Sequence, residues 1–214
     1  MNFPNIGAPY GIMVNGSLIT MEQPEHVYVA LRIKESVLLY LTNIPEDKLN
    51  IMEIGAGFAG LAYWIRKLGR QSAKTYTIID LPIMNTLQGY FLAQAFDHSE
   101  ICLWGESASD KTAYFVYPTQ AIESTENKVH ILINQNSMPE MTCEIVENYL
   151  RFARKTVDGI FFSYNHEAYA KAHGVDQVFV PEIASRVEGL HRLSRNASWV
   201  RNGYVEETYS IKQS

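Results

Sequence analysis

Residues 49–82 read LNIMEIGAGFAGLAYWIRKLGRQSAKTYTIIDLP, and this stretch decides the fold. It begins with a short apolar run at 51–54, which is followed by the glycine-rich segment GAGFAG. Apolar residues at helical spacing come next, and a second apolar run at 76–79 then ends on Asp80. The order of strand, glycine turn, helix, strand and acid is typical of a nucleotide-binding βαβ unit.

The glycine turn and the acid predict where a ligand binds. Glycines let the backbone approach a ligand closely, because a Cβ would occupy the ligand's volume. We therefore expect Gly55, Ala56 and Gly57 to contact an adenosine-containing cofactor. Asp80, at the tip of the second strand, can accept hydrogen bonds from both ribose hydroxyls, with Leu81 beside it in the same site. The alternative role for Asp80 is to stabilise the start of the following helix.

Glu53 bears on which cofactor binds, since NAD and S-adenosylmethionine (SAM) both carry a ribose. In an NAD site the position two residues before the first glycine usually lies inside an apolar strand, whereas here it is a carboxylate. That carboxylate can hold the cationic amino group of a methionine moiety, directly or through water. A pyrophosphate beside it would be repelled. Together with the glycines and Asp80, Glu53 favours SAM, and NAD is the alternative.

Composition limits the class of protein. The chain has 214 residues and a formal net charge of −5, which suits one domain of ordinary globular composition. No long basic run occurs, and this argues against nucleic acid as a partner. Neither a membrane-length apolar run nor a signal-peptide pattern is found, so we expect a cytoplasmic protein that does not bind a membrane.

Periodicity and turn residues predict the other elements. Asn15-Gly16 indicates a small hairpin over 11–20, and a helix follows from Pro24 and ends before Pro45. Further helices are expected from Pro82, around 145–152 and over 181–195, and further strands at 101–104, 129–133 and 159–164. The stretch 105–128 predicts only a short helix near 120–124. The side chains expected to face inward include Val27, Leu31, Leu38 and Leu41 of the first helix and Ile83, Leu87, Tyr90, Phe91 and Ala95 of the helix from Pro82.

The end of the chain decides the fold class. Two β-rich runs, 198–201 and 204–211, flank Asn202-Gly203 and predict a closing hairpin. A final antiparallel pair distinguishes the sheet of SAM-dependent methyltransferases from a plain doubly wound sheet. We predict a Rossmann-like three-layer α/β sandwich with a mostly parallel, seven-stranded sheet and a C-terminal antiparallel hairpin. Residues 1–48 form a hairpin and helix packed on the core, and residues 49–214 form the cofactor-binding domain.

Polar side chains follow the strands at 129–133 and 159–164. Asn134 and Gln135 are expected to line the methionine and substrate sides of the cofactor site, together with Asn136. Their amides orient groups but take no proton near neutral pH. Glu140 is the most attractive catalytic base, although SMPE also reads as a capping box in which this glutamate bonds the cap residue. His166 is the other candidate base, with a surface histidine as its alternative reading.

No metal-binding constellation stands out, so no metal is expected. His191, Arg192, Arg195 and Arg201 form one modestly basic region. This region either meets a phosphate or nucleotide-sugar substrate or is a solvated helix face.

Five stretches resemble the sugar O-methyltransferase family of bacteria, within the class I SAM-dependent methyltransferases. They are EIGAGFAGLAYWI, YTIIDLPIMNTLQGYFL, ILINQNSMPEM, FFSYNHEAY and NGYVEETYSI. The resemblance implies methyl transfer from SAM to a hydroxyl of a sugar or sugar-containing small molecule. The expected partner is thus a small sugar or glycoside acceptor, with a homo-oligomer left open. The alternatives are an NAD-dependent oxidoreductase and a SAM-binding partner subunit without catalysis.

Overall fold

The computed structural model describes residues 3–69, 73–125, 128–167, 171, 172 and 175–211. Its strands are β1 (Gly11–Val14), β2 (Ser17–Thr20), β3 (Asn50–Ile54), β4 (Thr75–Asp80), β5 (Ile101–Leu103), β6 (Tyr114–Pro118), β7 (Val129–Gln135), β8 (Val157–His166), β9 (Lys171–Ala172), β10 (Val175–Asp176), β11 (Leu190–Ala197) and β12 (Tyr204–Ile211). Its α-helices are α1 (Gln23–Tyr40), α2 (Gly60–Leu68), α3 (Pro82–Ala95), α4 (Cys143–Thr156) and α5 (Val180–Arg186). Short 3₁₀ helices occupy Glu46–Lys48, His98–Glu100, Thr119–Ser124 and Met138–Glu140.

The main sheet has eight strands in the order β11-β12-β8-β7-β3-β4-β6-β5. β12 runs antiparallel to both of its neighbours, and the pairs from β8 to β5 are parallel. From β3 the chain builds outward through β4 and then returns to the other side of β3 as β7. In open α/β sheets this reversal point is where ligands bind, at the carboxyl ends of the strands.

Alternate side chains of the sheet bury against different helices, which makes three layers. Ile51 of β3 belongs to a core shared with α1, α2 and α3. Met52 and Ile54 belong to the opposite core, shared with α4 and α5. By the same alternation Glu53 points toward the first core, where its side chain is 1 % exposed.

The fold class and the first hairpin are confirmed. In the turn between β1 and β2, Asn15 and Gly16 have φ of 49° and 78°, as a type I′ turn requires. The sheet has eight strands and not seven, because β6 lies inside the stretch 105–128 that predicted no strand. The run YFVYP alternates buried and half-buried residues as a strand does, but it is short and follows a long polar segment.

The closing hairpin is present, but its first arm was predicted in the wrong place. α5 ends at Arg186, and residues 190–197 form β11 where the pattern predicted a continuing helix. The run 198–201, predicted as a strand, belongs to the turn region before β12. β11 pairs on one side only, so six of its eight side chains are exposed, and its polar sequence LHRLSRNA lacks the apolar alternation that identifies a half-buried strand.

Two helices are rotated from the orientation that their apolar residues predicted. Leu31 and Leu38 of α1 are exposed, as are Ile83, Leu87 and Tyr90 of α3. The buried residues include Val29, Ala30, Ile33 and Val37 of α1 and Gln88, Phe91 and Leu92 of α3. Polar contacts explain the rotation: Arg32 Nε donates to the buried Glu206 of β12 at 2.7 Å, and Gln88 donates to Asp80. Among the described helices, none is long and apolar enough to cross a bilayer.

Candidate functional site

A cleft of about 750 Å³ opens at the carboxyl ends of β3, β4 and β7. Its volume is within the range of small-molecule sites, about 300–1,000 Å³. Eight predicted site residues line it: Glu53, Gly55, Ala56, Gly57, Asp80, Leu81, Gln135 and Glu140. Two predicted residues, Asn134 and His166, are not among the lining residues.

The two glycines after β3 have different structural roles. Gly55 has φ of +71°, and a Cβ on it would lie 2.1 Å from Ser137 Oγ, so the close packing of the loop after β7 requires a glycine here. Gly57 has φ of +55°, and a Cβ on it would meet nothing within 4 Å. Since Gly57 lines the cleft, that Cβ would stand in the space a ligand needs.

Glu53 is a buried carboxylate at the wall of the cleft. Tyr76 Oη donates to its Oε2 at 2.7 Å. Burial raises the pKa of Glu53 to about 8, the hydrogen bond from Tyr76 opposes this shift, and the negative charge of Asp80 adds to it. A cation entering the cleft would lower the pKa of Glu53, because a positive charge favours the ionised carboxylate.

Asp80 is oriented by the protein before any ligand binds. Its Oδ1 accepts from the backbone N–H of Leu81 at 2.8 Å, and its Oδ2 accepts from Gln88 Nε2 at 2.7 Å. The same nitrogen donates to the carbonyl of Gly57 at 2.8 Å, so Gln88 joins the acid to the glycine turn. Burial raises the pKa of Asp80, and its hydrogen bonds oppose that shift. A carboxylate has lone pairs left for two ribose hydroxyls.

Asn134 lies behind the cleft as part of its frame. It is fully buried, and its Nδ2 donates to the carbonyl of Ile54 at 2.9 Å and to Ser137 Oγ at 2.5 Å. Its Oδ1 accepts from Asn165 Nδ2 at 3.0 Å. With both ends of the amide engaged, Asn134 fixes the ends of β3, β7 and β8 relative to one another.

The start of α1 forms another wall of the cleft, which is lined by His26 and by Glu22, the residue before the helix. Glu25, on the same turns, accepts from Gln135 Nε2 at 3.0 Å and from Asn136 Nδ2 through its Oε1. Its Oε2 accepts from Arg201 Nη1 at 2.8 Å. These bonds tie the N-terminal helix to the end of β7 and to the turn before β12.

Comparison with known proteins shows which solved structures share this architecture. The sequence matches no family model and no curated protein. Among solved structures, the chain is similar to mitomycin 7-O-methyltransferase, with a TM-score of 0.63, 10% identity, and coverage of 90% of this chain and 55% of that chain. It is also similar to magnesium protoporphyrin IX methyltransferase from Synechocystis PCC 6803 with bound SAM, with a TM-score of 0.58, 11% identity, and coverage of 87% and 81%.

A third similar structure is the CurJ carbon methyltransferase, with a TM-score of 0.60, 13% identity, and coverage of 88% of this chain and 54% of that chain. These proteins share a sheet of mostly parallel strands with the chain described above. The chain has the class I methyltransferase fold. It spans just over half the length of two of these three proteins.

Within the methyltransferase fold, the two candidate bases lie in different places. Glu140 is exposed and lines the cleft, and its side chain forms no hydrogen bond or ion pair with the described residues, although its backbone N–H donates to the carbonyl of Ser137 at 3.1 Å. The capping box expected for it is wrong: α4 begins only at Cys143, and its cap is Thr142, which accepts from the N–H of Ile145. His166, at the end of β8, packs edge-on against Tyr204 and not into the cleft.

Three side chains at the site were not found from the sequence. His26 lines the cleft with its Nδ1 buried and unpaired in the described structure, and burial lowers its pKa to about 4. Gln88 and Glu25 hold groups that line the cleft. The partners of Glu25 lie 110, 111 and 176 residues away in sequence, so no local pattern indicates them.

The basic region meets acids of the protein itself. Arg192 and Arg195 both donate to the buried Glu207, at 3.0 and 2.8 Å, and they lie on β11 and not on a helix. Neither lines the cleft of the methyltransferase fold. Among the described residues, no group of three or more His, Cys, Asp or Glu side chains is placed to hold a metal ion.

Proposed function

We propose that this chain is a SAM-dependent methyltransferase that transfers a methyl group to a hydroxyl of a sugar or sugar-containing small molecule. The methyltransferase fold and neighbours that carry SAM support the cofactor. The hydroxyl and the sugar rest on the five sequence stretches that resemble the sugar O-methyltransferase family. The similar solved structures include both O- and C-methyltransferases, so they do not identify the acceptor.

One observation carries the proposal: a buried carboxylate stands at the cleft wall beside the glycine turn. Glu53 is 1 % exposed, has only Tyr76 as a hydrogen-bond donor in the described structure, and shares the cleft with Gly57 and Asp80. Burying a carboxylate is costly unless a cation or donors compensate it. The ammonium group of SAM supplies that cation, and the residues therefore fit this cofactor.

Bound SAM would supply a methyl group already activated by a positively charged sulfur. The chain must then hold the two reactants and remove one proton. Glu53 binds the amino group, Asp80 binds the ribose hydroxyls, and Gly57 leaves room for the ligand. Transfer of this methyl group to a hydroxyl would leave S-adenosylhomocysteine and one proton, which a residue of the chain would have to accept. The hydroxyl proton goes to a base, for which Glu140, at the cleft wall, is the better placed candidate than His166.

The NAD alternative is disfavoured by charge. Of the residues that line the cleft, Glu22, Glu53, Asp80 and Glu140 are acids, and none of the described lining residues is Lys or Arg. A pyrophosphate would enter this cleft without a cation to bind it. A SAM-binding subunit without catalysis has the same cofactor contacts, and only turnover separates it from an enzyme.

The test is calorimetric titration of the purified protein with SAM, S-adenosylhomocysteine (SAH) and NADH, repeated on Asp80→Ala. We expect both sulfur ligands to bind with micromolar affinity and the variant to bind them at least tenfold more weakly. Asp97→Ala serves as the control, since Asp97 is exposed and outside the cleft. Binding of NADH alone, or of none of the three, would overturn the proposed function.

A further inference from the structure

The helix α3 has an apolar face that points away from the protein. Ile83, Leu87 and Tyr90 lie at i, i+4 and i+7 on one side of the helix, and they are 69%, 50% and 57% exposed. The other side of α3 is held against the cleft by Gln88, which donates to Asp80. The contact that orients this acid thus turns the three apolar side chains outward.

Leu103 of β5 extends the apolar face. It lies over α3, since a Cβ on Gly89 would come within 2.9 Å of its Cδ2, and it is 37% exposed. At the edge of the face, the carboxylate of Glu106 accepts from the N–H of Leu103 at 2.8 Å.

The size of this face suits a protein interface. From their exposed fractions, its four side chains offer about 400 Å² of apolar surface, which is in the range of the largest patches on monomeric proteins, about 300–600 Å². Each partner of a standard interface buries about 800 Å², of which about 56–58% is apolar. The face therefore supplies nearly all of the apolar area that such an interface needs.

The helix behind this face has no charged residue. Its sequence, PIMNTLQGYFLAQA, contains no Asp, Glu, Lys, Arg or His. The exposed side of α1 has the same spacing, with Leu31 and Leu38 at its ends, but the charged Glu35 lies between them. Because charged residues are depleted in the cores of interfaces, α3 has the composition of a buried contact and α1 that of a solvated surface.

The absence of charge on α3 favours a second copy of this chain as the partner. A two-fold interface places a patch against the same patch of the other copy, so any charge on it would meet its own sign. The chain has a net charge of −5, and two copies therefore repel where their charged surfaces meet. The neutral face of α3 avoids this repulsion, and it offers a basic partner no acid to bind.

From these observations we infer that the chain forms a two-fold symmetric dimer through α3, with the two helices antiparallel. Leu87 lies near the middle of the exposed stripe and packs close to the axis, against the partner's Leu87. Ile83 and Tyr90 lie on opposite sides of that point, so Ile83 packs beside the partner's Tyr90. A large side chain thus meets a smaller one, which lets the two helix surfaces interdigitate.

The test is the molar mass in solution, measured by light scattering during size-exclusion chromatography. We expect twice the chain mass of 24.3 kDa. Leu87→Glu should give the mass of one chain, because it places two carboxylates face to face, and Ile83→Glu should do the same by burying a carboxylate without a partner. The matched control is Leu38→Glu, which makes the same change at a side chain of α1 that is 60% exposed, and it should remain a dimer.

A charge swap tests the pairing of the two helices directly. Leu87→Lys should also be a monomer, and an equal mixture of Leu87→Glu and Leu87→Lys should recover the dimer mass, since opposite charges then meet at the axis. Far-UV circular dichroism checks that each variant is folded.

Three outcomes would overturn the inference. The wild type has the mass of one chain, or the Leu87→Glu protein remains a dimer, or the mixture of the two charged variants stays monomeric. None of these measurements uses SAM, so the inference is tested separately from the proposed function.

Discussion

The two halves of the cleft differ in how much of their hydrogen bonding the protein completes by itself. On the β3 and β4 side, Glu53 is held by Tyr76, and Asp80 is held by Gln88 and the N–H of Leu81. On the β7 side, the amide oxygens of Gln135 and Asn136 remain unpaired in the described structure.

This difference indicates how each half recognises its ligand. A site whose side chains are already fixed loses little conformational freedom on binding, which suits a ligand of constant shape such as a cofactor. On the β7 side the two amide oxygens are buried without a partner among the described residues, so hydrogen bonds hold this half less completely. We therefore expect substitutions in the first half to change cofactor binding and substitutions in the second half to spare it.

Replacement of Glu53 should have the largest effect. Burial raises the pKa of Glu53 to about 8 from the ordinary 4.5. The protonated side chain therefore contributes its full folding stability below pH 4.5, and this contribution is lost as the pH rises through about 8. By linkage, ionisation of Glu53 costs up to about 5 kcal/mol of folding free energy above pH 8. Glu53→Gln should therefore unfold at higher urea concentration than the wild type at pH 8.5, while binding SAH at least tenfold more weakly.

The same comparison at pH 4.5 is the internal control, because the stability difference should shrink there. Glu188→Gln, which removes an exposed carboxylate, should behave as the wild type at both values. A Glu53→Gln protein that is less stable than the wild type at pH 8.5 would contradict the assignment.

The two glycines of the turn should separate folding from binding. Gly55→Ala places a Cβ 2.1 Å from Ser137 Oγ at φ of +71°. We expect a loss of about 3 kcal/mol in unfolding free energy, measured by urea denaturation. Gly57→Ala meets no atom within 4 Å, so it should lose only about 1–2 kcal/mol from its left-handed backbone.

The effects of the two substitutions on SAH binding should have the opposite order. Gly57→Ala should weaken SAH binding at least tenfold, and more than Gly55→Ala does, despite its smaller loss of stability. Equal SAH affinity in the wild type and in Gly57→Ala would show that the open side of Gly57 does not face the cofactor.

Gln88 tests whether the fixed geometry of Asp80 matters for binding. Gln88→Leu removes the donor to Asp80 Oδ2 and to the carbonyl of Gly57. We expect about tenfold weaker SAH binding and a loss of about 1–2 kcal/mol of stability. Gln94→Leu, at an exposed position on the same helix, is the control and should leave the calorimetric affinity unchanged.

How far the sequence predicted this site depended on how local each interaction is. The glycine turn, Glu53 and Asp80 belong to one continuous βαβ unit, where the spacing alone brings them together. The partners of Glu25 and Glu206 come from the other end of the chain, and those contacts set the rotation of α1. Periodicity could not show this rotation, because it counts apolar residues and not buried ion pairs.

The errors in the sheet have a similar cause. β11 lies at one end of the sheet, and its exposed polar residues lack apolar alternation, whereas β6 is short and follows a long polar segment. The central strands β3, β4 and β7 are buried on both faces, and their continuous apolar runs were recognised. Sequence patterns thus identified the centre of the sheet and the β3 and β4 side of the cleft better than the β11 edge and the β7 side.

The smallest effects on cofactor binding should come from the candidate bases. Glu140→Gln and His166→Gln should each change SAH affinity by less than about twofold, because Glu140 is exposed and outside the Glu53 and Asp80 half, and His166 does not line the cleft. On an acceptor that is methylated by the wild type, Glu140→Gln should lower kcat by about 10²-fold, the usual contribution of a general base. His166→Gln should lower it far less, since its ring packs on Tyr204. If His166→Gln instead loses the activity and Glu140→Gln keeps it, the proton is accepted at the end of β8. The acceptor would then have to bind at that end of the site and not beside Glu140.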